Sequence, residues 1–198
     1  SLAQPFRVLA HNGEINTIQG NINWSVIHES KMFSENLGDN IKEIFPIIQD
    51  GASDSAALDS FYELLLNCGK DLPMIKALTI PEAKNKNQST QIKDFFEYCY
   101  SVLEPWDGPA AIAAYGKDWV IAGMDRNGFR PMRYTITKNN ILFVGSETGM
   151  VDIDDASVKQ KGHLGPGQII GVNLKERKFF NPDNIKNDLV NRHPYYKW

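Results

Sequence analysis

Apolar residues recur at helical intervals as far as Glu104 and at strand intervals beyond it. Trp24, Ile27, His28 and Lys31 through Leu37 predict an amphipathic helix ending at Gly38. From Ala56 the positions Leu58, Phe61, Tyr62, Leu65 and Cys68 return every three or four residues, and Gly69 is placed to close that helix. A third helix is predicted from Thr90 to Glu104 through Ile92, Phe95, Phe96, Cys99, Val102 and Leu103. It stops there because a proline, Pro105, disfavours helical geometry in the residue ahead of it. Between the second and third helices, Glu82 to Ser89 is dominated by Lys, Asn and Gln and reads as a polar loop.

After Pro105 the pattern shortens. Ala110 to Tyr115, Trp119 to Gly123, Met132 to Thr137 and Ile141 to Gly145 are β-prone runs separated by Gly116-Lys117-Asp118, Asn127-Gly128 and Asn139-Asn140. They predict an antiparallel meander. Gln168 to Leu174, the turn Lys175-Glu176-Arg177-Lys178 and Phe179-Phe180 predict a further hairpin. The remainder, Asn181 to Trp198, carries Pro182 and Pro194 and reads as an exit segment toward a next domain rather than as core. The expected product is one α+β domain over residues 1–180, with helices packed on antiparallel sheet.

Composition narrows the field. A chain of 198 residues with 42% hydrophobic, 11% aromatic and 23% charged residues is ordinary globular material, not disordered, collagen-like or coiled coil. A formal charge of -3, from 21 basic and 24 acidic residues, argues against nucleic acid or an anionic membrane as partner. No apolar run approaches the roughly 18 to 20 residues needed to span a bilayer. Cys68 and Cys99 are too few for a disulfide framework and lack zinc spacing, so no metal is expected and a reducing, cytoplasmic setting fits. The start at Ser1, without Met, reads as a processed end or a piece of a longer polypeptide.

Four places could carry chemistry. His11-Asn12-Gly13-Glu14-Ile15-Asn16 follows the apolar run Phe6 to Ala10. There an Asn amide and a glycine N–H could converge on an oxyanion, although Asn-Gly is also a frequent hairpin turn. Gly51-Ala52-Ser53-Asp54-Ser55 precedes the second helix, where Asp54 could hold an ammonium group or merely cap the helix, as Ser53 could. Arg126 and Arg130, in Asp125-Arg126-Asn127-Gly128-Phe129-Arg130-Pro131, could bind a carboxylate or phosphate, or simply pair with local aspartates. Gly162-His163-Leu164-Gly165-Pro166-Gly167 lacks phosphate-loop spacing and reads as a turn. Ser1 could act as a nucleophile with its own α-amino group as base. The cysteines fall on apolar helix faces, and His11, His28, His163 and His193 show no metal spacing, so structural roles are expected for all of these.

The run Ser1-Leu-Ala-Gln-Pro-Phe-Arg-Val-Leu-Ala-His-Asn-Gly-Glu-Ile-Asn-Thr17 resembles the class II glutamine amidotransferase domain of glutamate synthase large subunits. That domain belongs to the N-terminal-nucleophile hydrolases. Pro81-Glu82-Ala83, Glu104-Pro105-Trp106-Asp107-Gly108-Pro109-Ala110, Arg126 to Pro131, Ser146-Glu147-Thr148-Gly149, Lys161-Gly162 and Leu164-Gly165-Pro166-Gly167 carry the similarity in the same order along nearly the whole chain.

The resemblance implies a four-layer αββα sandwich and a site that hydrolyses glutamine to glutamate and passes ammonia to a distant site for 2-oxoglutarate. It implies that Asn12 and Gly13 form the oxyanion hole and that Asp54 holds the substrate's α-amino group; Arg130 and Glu147 are expected to support loops. The family's nucleophile, an N-terminal Cys, and the Arg that binds the glutamine carboxylate lie upstream of Ser1. On that reading Ser1 is interior to the family domain, the first strands are missing, and these residues alone are inactive. A non-catalytic glutamine-binding or scaffold domain of the same fold is the alternative. No cofactor is expected in this domain. FMN, an iron–sulfur cluster and the electron donor, a small subunit or ferredoxin, are implied for the rest of the parent, in the cytoplasm or a plastid stroma.

Overall fold

The computed structural model describes residues 4–83 and 85–198. Ser1 therefore lies outside the described residues, as does Lys84 of the polar loop. Among the described residues five α-helices occur: α1 (Ile18–Glu29), α2 (Asp54–Asn67), α3 (Leu72–Thr79), α4 (Thr90–Val102) and α5 (Pro182–Asn191). The strands are β1 (Leu9–Gly13), β2 (Ala110–Gly116), β3 (Trp119–Met124), β4 (Arg133–Thr137), β5 (Leu142–Gly145), β6 (Val158–His163), β7 (Ile169–Asn173) and β8 (Lys178–Phe180).

Local chemistry sets the helix ends. Ser53 caps α2 by accepting from the Ala56 N–H at 3.2 Å. At the other end Gly69 adopts a φ of 94°, which lets the Lys70 N–H reach back to the Leu65 carbonyl at 3.0 Å. Asp71, Ser89 and Asn181 cap α3, α4 and α5 in the same way as Ser53.

Three of these elements depart from the sequence pattern. The first helix begins at Ile18 and ends at Glu29, leaving residues 30–37 outside it. Its fully buried residues are the polar Asn21 and Ser25, Ile18 and Ile22 pack half-buried against the core, and Trp24, Val26 and Ile27 are exposed. An apolar pattern therefore marked the outer face. Helix α3, which the pattern did not predict, is buried at every position from Leu72 to Thr79 and has no polar face to give it a period. The third correction concerns the tail. Pro182 starts α5 rather than breaking structure, and Ile185, Leu189, Val190 and Tyr195 join the main core, so residues 181–198 are not an exit segment lying off it.

The strands form two antiparallel sheets, not one meander: a five-stranded sheet in the order β1-β2-β3-β7-β8 and a three-stranded sheet in the order β5-β4-β6. The hairpins β2–β3 and β4–β5 fall in different sheets because residues 125–131 carry the chain across. Strand β6, which the sequence pattern does not predict, has mostly exposed side chains and lacks apolar alternation.

All five helices contribute to one core against the five-stranded sheet, with Leu58, Tyr62, Ile75 and Phe95 meeting Leu9, Ile112 and Ile121. On the opposite face Ala122, Met124 and Ile170 pack against Met132, Tyr134, Ile136 and Leu164 of the second sheet and its flanks. The result is an α+β sandwich in which the described residues form helix, sheet and sheet layers in succession. The inter-sheet core covers β3 and β7. Over β1 and β2 the same face carries small side chains and stays open.

Candidate active site

Strand β1 pairs with β2 in the register Leu9↔Ala114, His11↔Ile112 and Gly13↔Ala110. Alternation along a strand puts these residues on the helical face and turns Ala10 and Asn12, with their partners Ala113 and Ala111, to the other side. That side is one wall of a cleft of about 720 Å³. Asn12 and Gly13 line it together with Arg130, Pro131 and Met132 ahead of β4 and Val144, Gly145 and Ser146 at the end of β5. The Asn-Gly pair thus lies in a strand and is not a hairpin turn.

Close backbone contact dictates glycine at the end of β1. A Cβ on Gly13 would lie 1.8 Å from the Pro109 carbonyl oxygen, and one on Gly108 would lie 2.0 Å from the Glu14 carbonyl oxygen. The two segments are tied by Glu14 N–H to the Pro109 carbonyl at 2.9 Å and Asn16 N–H to the Asp107 carbonyl at 2.7 Å. Position 13 is therefore held against the start of β2.

Helix α2 approaches the same strand with its N-terminus. Because Ser53 takes the capping role, the Asp54 carboxylate is left for other contacts. Its Oδ2 accepts from the Ile15 N–H at 2.8 Å, its Oδ1 lies 3.5 Å from Ser55 Oγ, and its side chain is 23% exposed. Asp54 is not itself in the cleft wall; its neighbour Ser55 is. One turn on, buried Asp59 accepts from the N–H groups of Arg7, Val8 and Leu9, fixing β1 to the helix.

His11, assigned no chemistry by its sequence position, links these pieces. Its ring is buried, with Nδ1 2.8 Å from Ser55 Oγ and 3.9 Å from Asp54 Oδ2. Burial holds its pKa below the usual imidazole range, against the pull of Asp54 and the Pro109 carbonyl and with a smaller push from Arg130. The only local sign of it was its place next to Asn12.

The two arginines separate. Arg126 pairs with Asp107, whereas Arg130 faces the cleft, so they do not assemble a joint phosphate site. Asp125 holds their loop by accepting from Asn127 and Gly128 N–H at 2.9 and 2.7 Å and from Ala110 N–H at 3.0 Å. Glu147 stands outside the cleft wall, in the loop after β5. Residues 162–167 begin as the end of β6 and turn at Gly167, whose N–H donates to the Asp125 carbonyl at 2.7 Å.

The described cleft wall carries hydroxyls at Ser55 and Ser146 but no thiol. Cys99 is buried, its thiol pushed up to about 12 by that burial, and Cys68 ends α2 away from the cleft. Among the described residues no group of three or more His, Cys, Asp or Glu could hold a metal. A second hollow of about 770 Å³ opens beside Phe6, Arg7, Gln49 and Asp50, without converging donors from a strand.

An α+β sandwich whose inter-sheet cleft presents a side-chain amide and a constrained glycine, beside the carboxylate that starts a helix, offers donors to an anion and an acceptor to a cation. Comparison with known proteins agrees: the profile of the class II glutamine amidotransferases matches residues 1–198, and the chain belongs to that family. It is 48% identical over 199 residues to the glutamate synthase [NADPH] large chain of Azospirillum brasilense, covering 100% of this chain and 13% of that protein. It is 42% identical over 198 residues to the ferredoxin-dependent glutamate synthase of Pyropia yezoensis, covering 98% and 13%. The chain thus spans about one-eighth of the length of these relatives. Among solved structures, the glutamine phosphoribosylpyrophosphate amidotransferase of Bacillus subtilis aligns with a TM-score of 0.44 at 17% identity, covering 87% of this chain and 28% of that one. No helix among the described residues is long and apolar enough to cross a membrane.

Proposed function

We propose that this domain hydrolyses L-glutamine as the amidotransferase part of a glutamate synthase. The observation that carries the reading is the placement of Asn12 on the cleft face of β1 beside Gly13, with Asp54 brought next to the same strand by α2. A cysteine thiolate supplied from ahead of Ser1 attacks the carboxamide carbon. The developing oxyanion accepts from the Asn12 amide and the Gly13 N–H, the thiol proton held by that cysteine's own α-amino group passes to the departing nitrogen so that ammonia leaves, and water hydrolyses the resulting thioester to glutamate. Asp54 holds the substrate's ammonium group through its less engaged oxygen. The ammonia is delivered to a 2-oxoglutarate site in another part of the longer polypeptide. FMN, an iron–sulfur cluster and the electron donor, NADPH through a small subunit or ferredoxin, belong to those other parts, in the cytoplasm or a plastid stroma.

The test is glutaminase turnover by the natural full-length polypeptide, together with N-terminal sequencing of its mature form. A mature Cys terminus is expected. Asn12→Ala should lower kcat about 10²- to 10³-fold, the usual effect of removing one oxyanion donor. Asp54→Asn should act mainly on KM. Turnover untouched by Asn12→Ala would overturn the assignment.

A further inference from the structure

His11 is used by none of these steps, yet it is the most constrained polar side chain at the site. Its side chain is 0% exposed, and Nε2 has no hydrogen-bond partner. Ser55 has one hydroxyl hydrogen, and Asp54 Oδ1, 3.5 Å away, is the acceptor it faces. His11 Nδ1 lies 2.8 Å from the same hydroxyl, a hydrogen bond that the neutral ring can make as donor or as acceptor. A second proton would set a buried cation 3.9 Å from Asp54 Oδ2.

We propose that His11 is a positioning residue for the substrate ammonium site: as a neutral ring it ties the start of α2 to β1 through Ser55 and leaves the Asp54 carboxylate uncompensated for glutamine. This rests on the reading of Asp54 given above. Protonation turns the same ring into a competitor for Asp54, so ammonium binding weakens while the oxyanion donors stay in place. The charged and titratable groups around the ring are Asp54 from α2 and Arg130 from the loop ahead of β4; Pro109, just before β2, contributes its carbonyl. Asp59, further along α2, is occupied by three backbone N–H groups. Burial and Arg130 favour the neutral ring, and Asp54 and Pro109 oppose them, with burial prevailing. Glutamine keeps its ammonium and carboxylate charges across the range in which a histidine titrates, so the substrate does not produce the effect.

The experiment measures KM and kcat for L-glutamine between about pH 5 and pH 8 in the natural full-length polypeptide, with L-glutamate binding by calorimetry as a turnover-free readout. In the wild type KM should rise toward the acid end of that range, with kcat moving less. His11→Asn places an amide N–H near the position of Nδ1 and cannot take a second proton. Its KM at neutral pH should stay within about twofold of wild type and the acid rise should vanish. His11→Ala should raise KM roughly tenfold at every pH, the effect of one buried hydrogen bond. An acid rise that persists in His11→Asn, or a KM unmoved in His11→Ala, would overturn the inference while leaving the amidotransferase reading intact. A wild type that neither turns over glutamine nor binds L-glutamate would overturn that reading, and the inference with it.

Discussion

The two faces of the five-stranded sheet are built from alternate residues of the same strands and do opposite work. Along β2, Ala110, Ile112 and Ala114 are buried under the helices, whereas Ala111 and Ala113 face the cleft and Ala113 is exposed. On the helical face the gaps are filled by large side chains such as Tyr62, Phe95 and Leu58. On the cleft face Ala10, Ala111 and Ala113 leave room that the second sheet does not fill. Tight packing on one face makes the strand a rigid support, and small residues on the other leave space for a ligand. Stability and chemistry are thereby separable by position.

The largest effect expected from breaking that separation lies on the helical face. Phe95 is fully buried and stacks edge-on to Tyr195 at 5.0 Å between ring centroids. Phe95→Ala should cost about 3–5 kcal/mol of stability through lost transfer energy and a residual cavity. Denaturant unfolding measures the loss, and KM for glutamine in the surviving folded protein should be unchanged. A shift in KM without loss of stability would mean that the faces are not independent.

Gly13 sits where the faces meet and should fail on both counts. The added methyl of Gly13→Ala collides with the Pro109 carbonyl and also comes within 2.9 Å of His11 Nε2, so β1 must move away from β2. A stability loss of about 1–3 kcal/mol is expected for such overpacking. A displacement of the oxyanion donors by around 1 Å should lower kcat about 10²-fold. Thermal melts and glutaminase assays on one variant would show whether the two losses occur together.

How far this arrangement could be read from sequence depended on contrast between neighbours. Helices α2 and α4 and strand β2 vary in burial with their periods, and β3 is a short β-prone run bounded by turn residues, so their bounds lie close to those expected. Helix α3 has no exposed side, α1 shows apolar residues to solvent, and α5 starts with a proline that reads as a breaker, so pattern misled at all three. Strand periodicity also says nothing about which partner a strand chooses, and the split into two sheets was hidden for that reason. Asn12, Gly13 and Asp54 were identified by resemblance to a family, and folding brings them near one another. His11 was passed over because its partner Ser55 lies 44 residues away, a distance no local motif spans.

The finest test uses adjacent alanines on opposite faces, where the same substitution meets different surroundings. Ala114 is 3% exposed within the helical core, so Ala114→Leu must displace packed neighbours and should cost about 1–3 kcal/mol. Ala113 points into the open cleft, so Ala113→Leu should change stability by no more than about 0.5 kcal/mol, the usual bound for a surface position. Its branched side chain would nevertheless occupy space beside Asn12, because Ala113 pairs with Ala10 and Asn12 with Ala111 on that same face. Glutamine KM should therefore rise in Ala113→Leu and stay at the wild-type value in Ala114→Leu, while unfolding midpoints show the reverse order. Equal stability losses in the two variants would mean that the second sheet closes over β1 and β2 in solution; equal KM values would place glutamine outside the cleft.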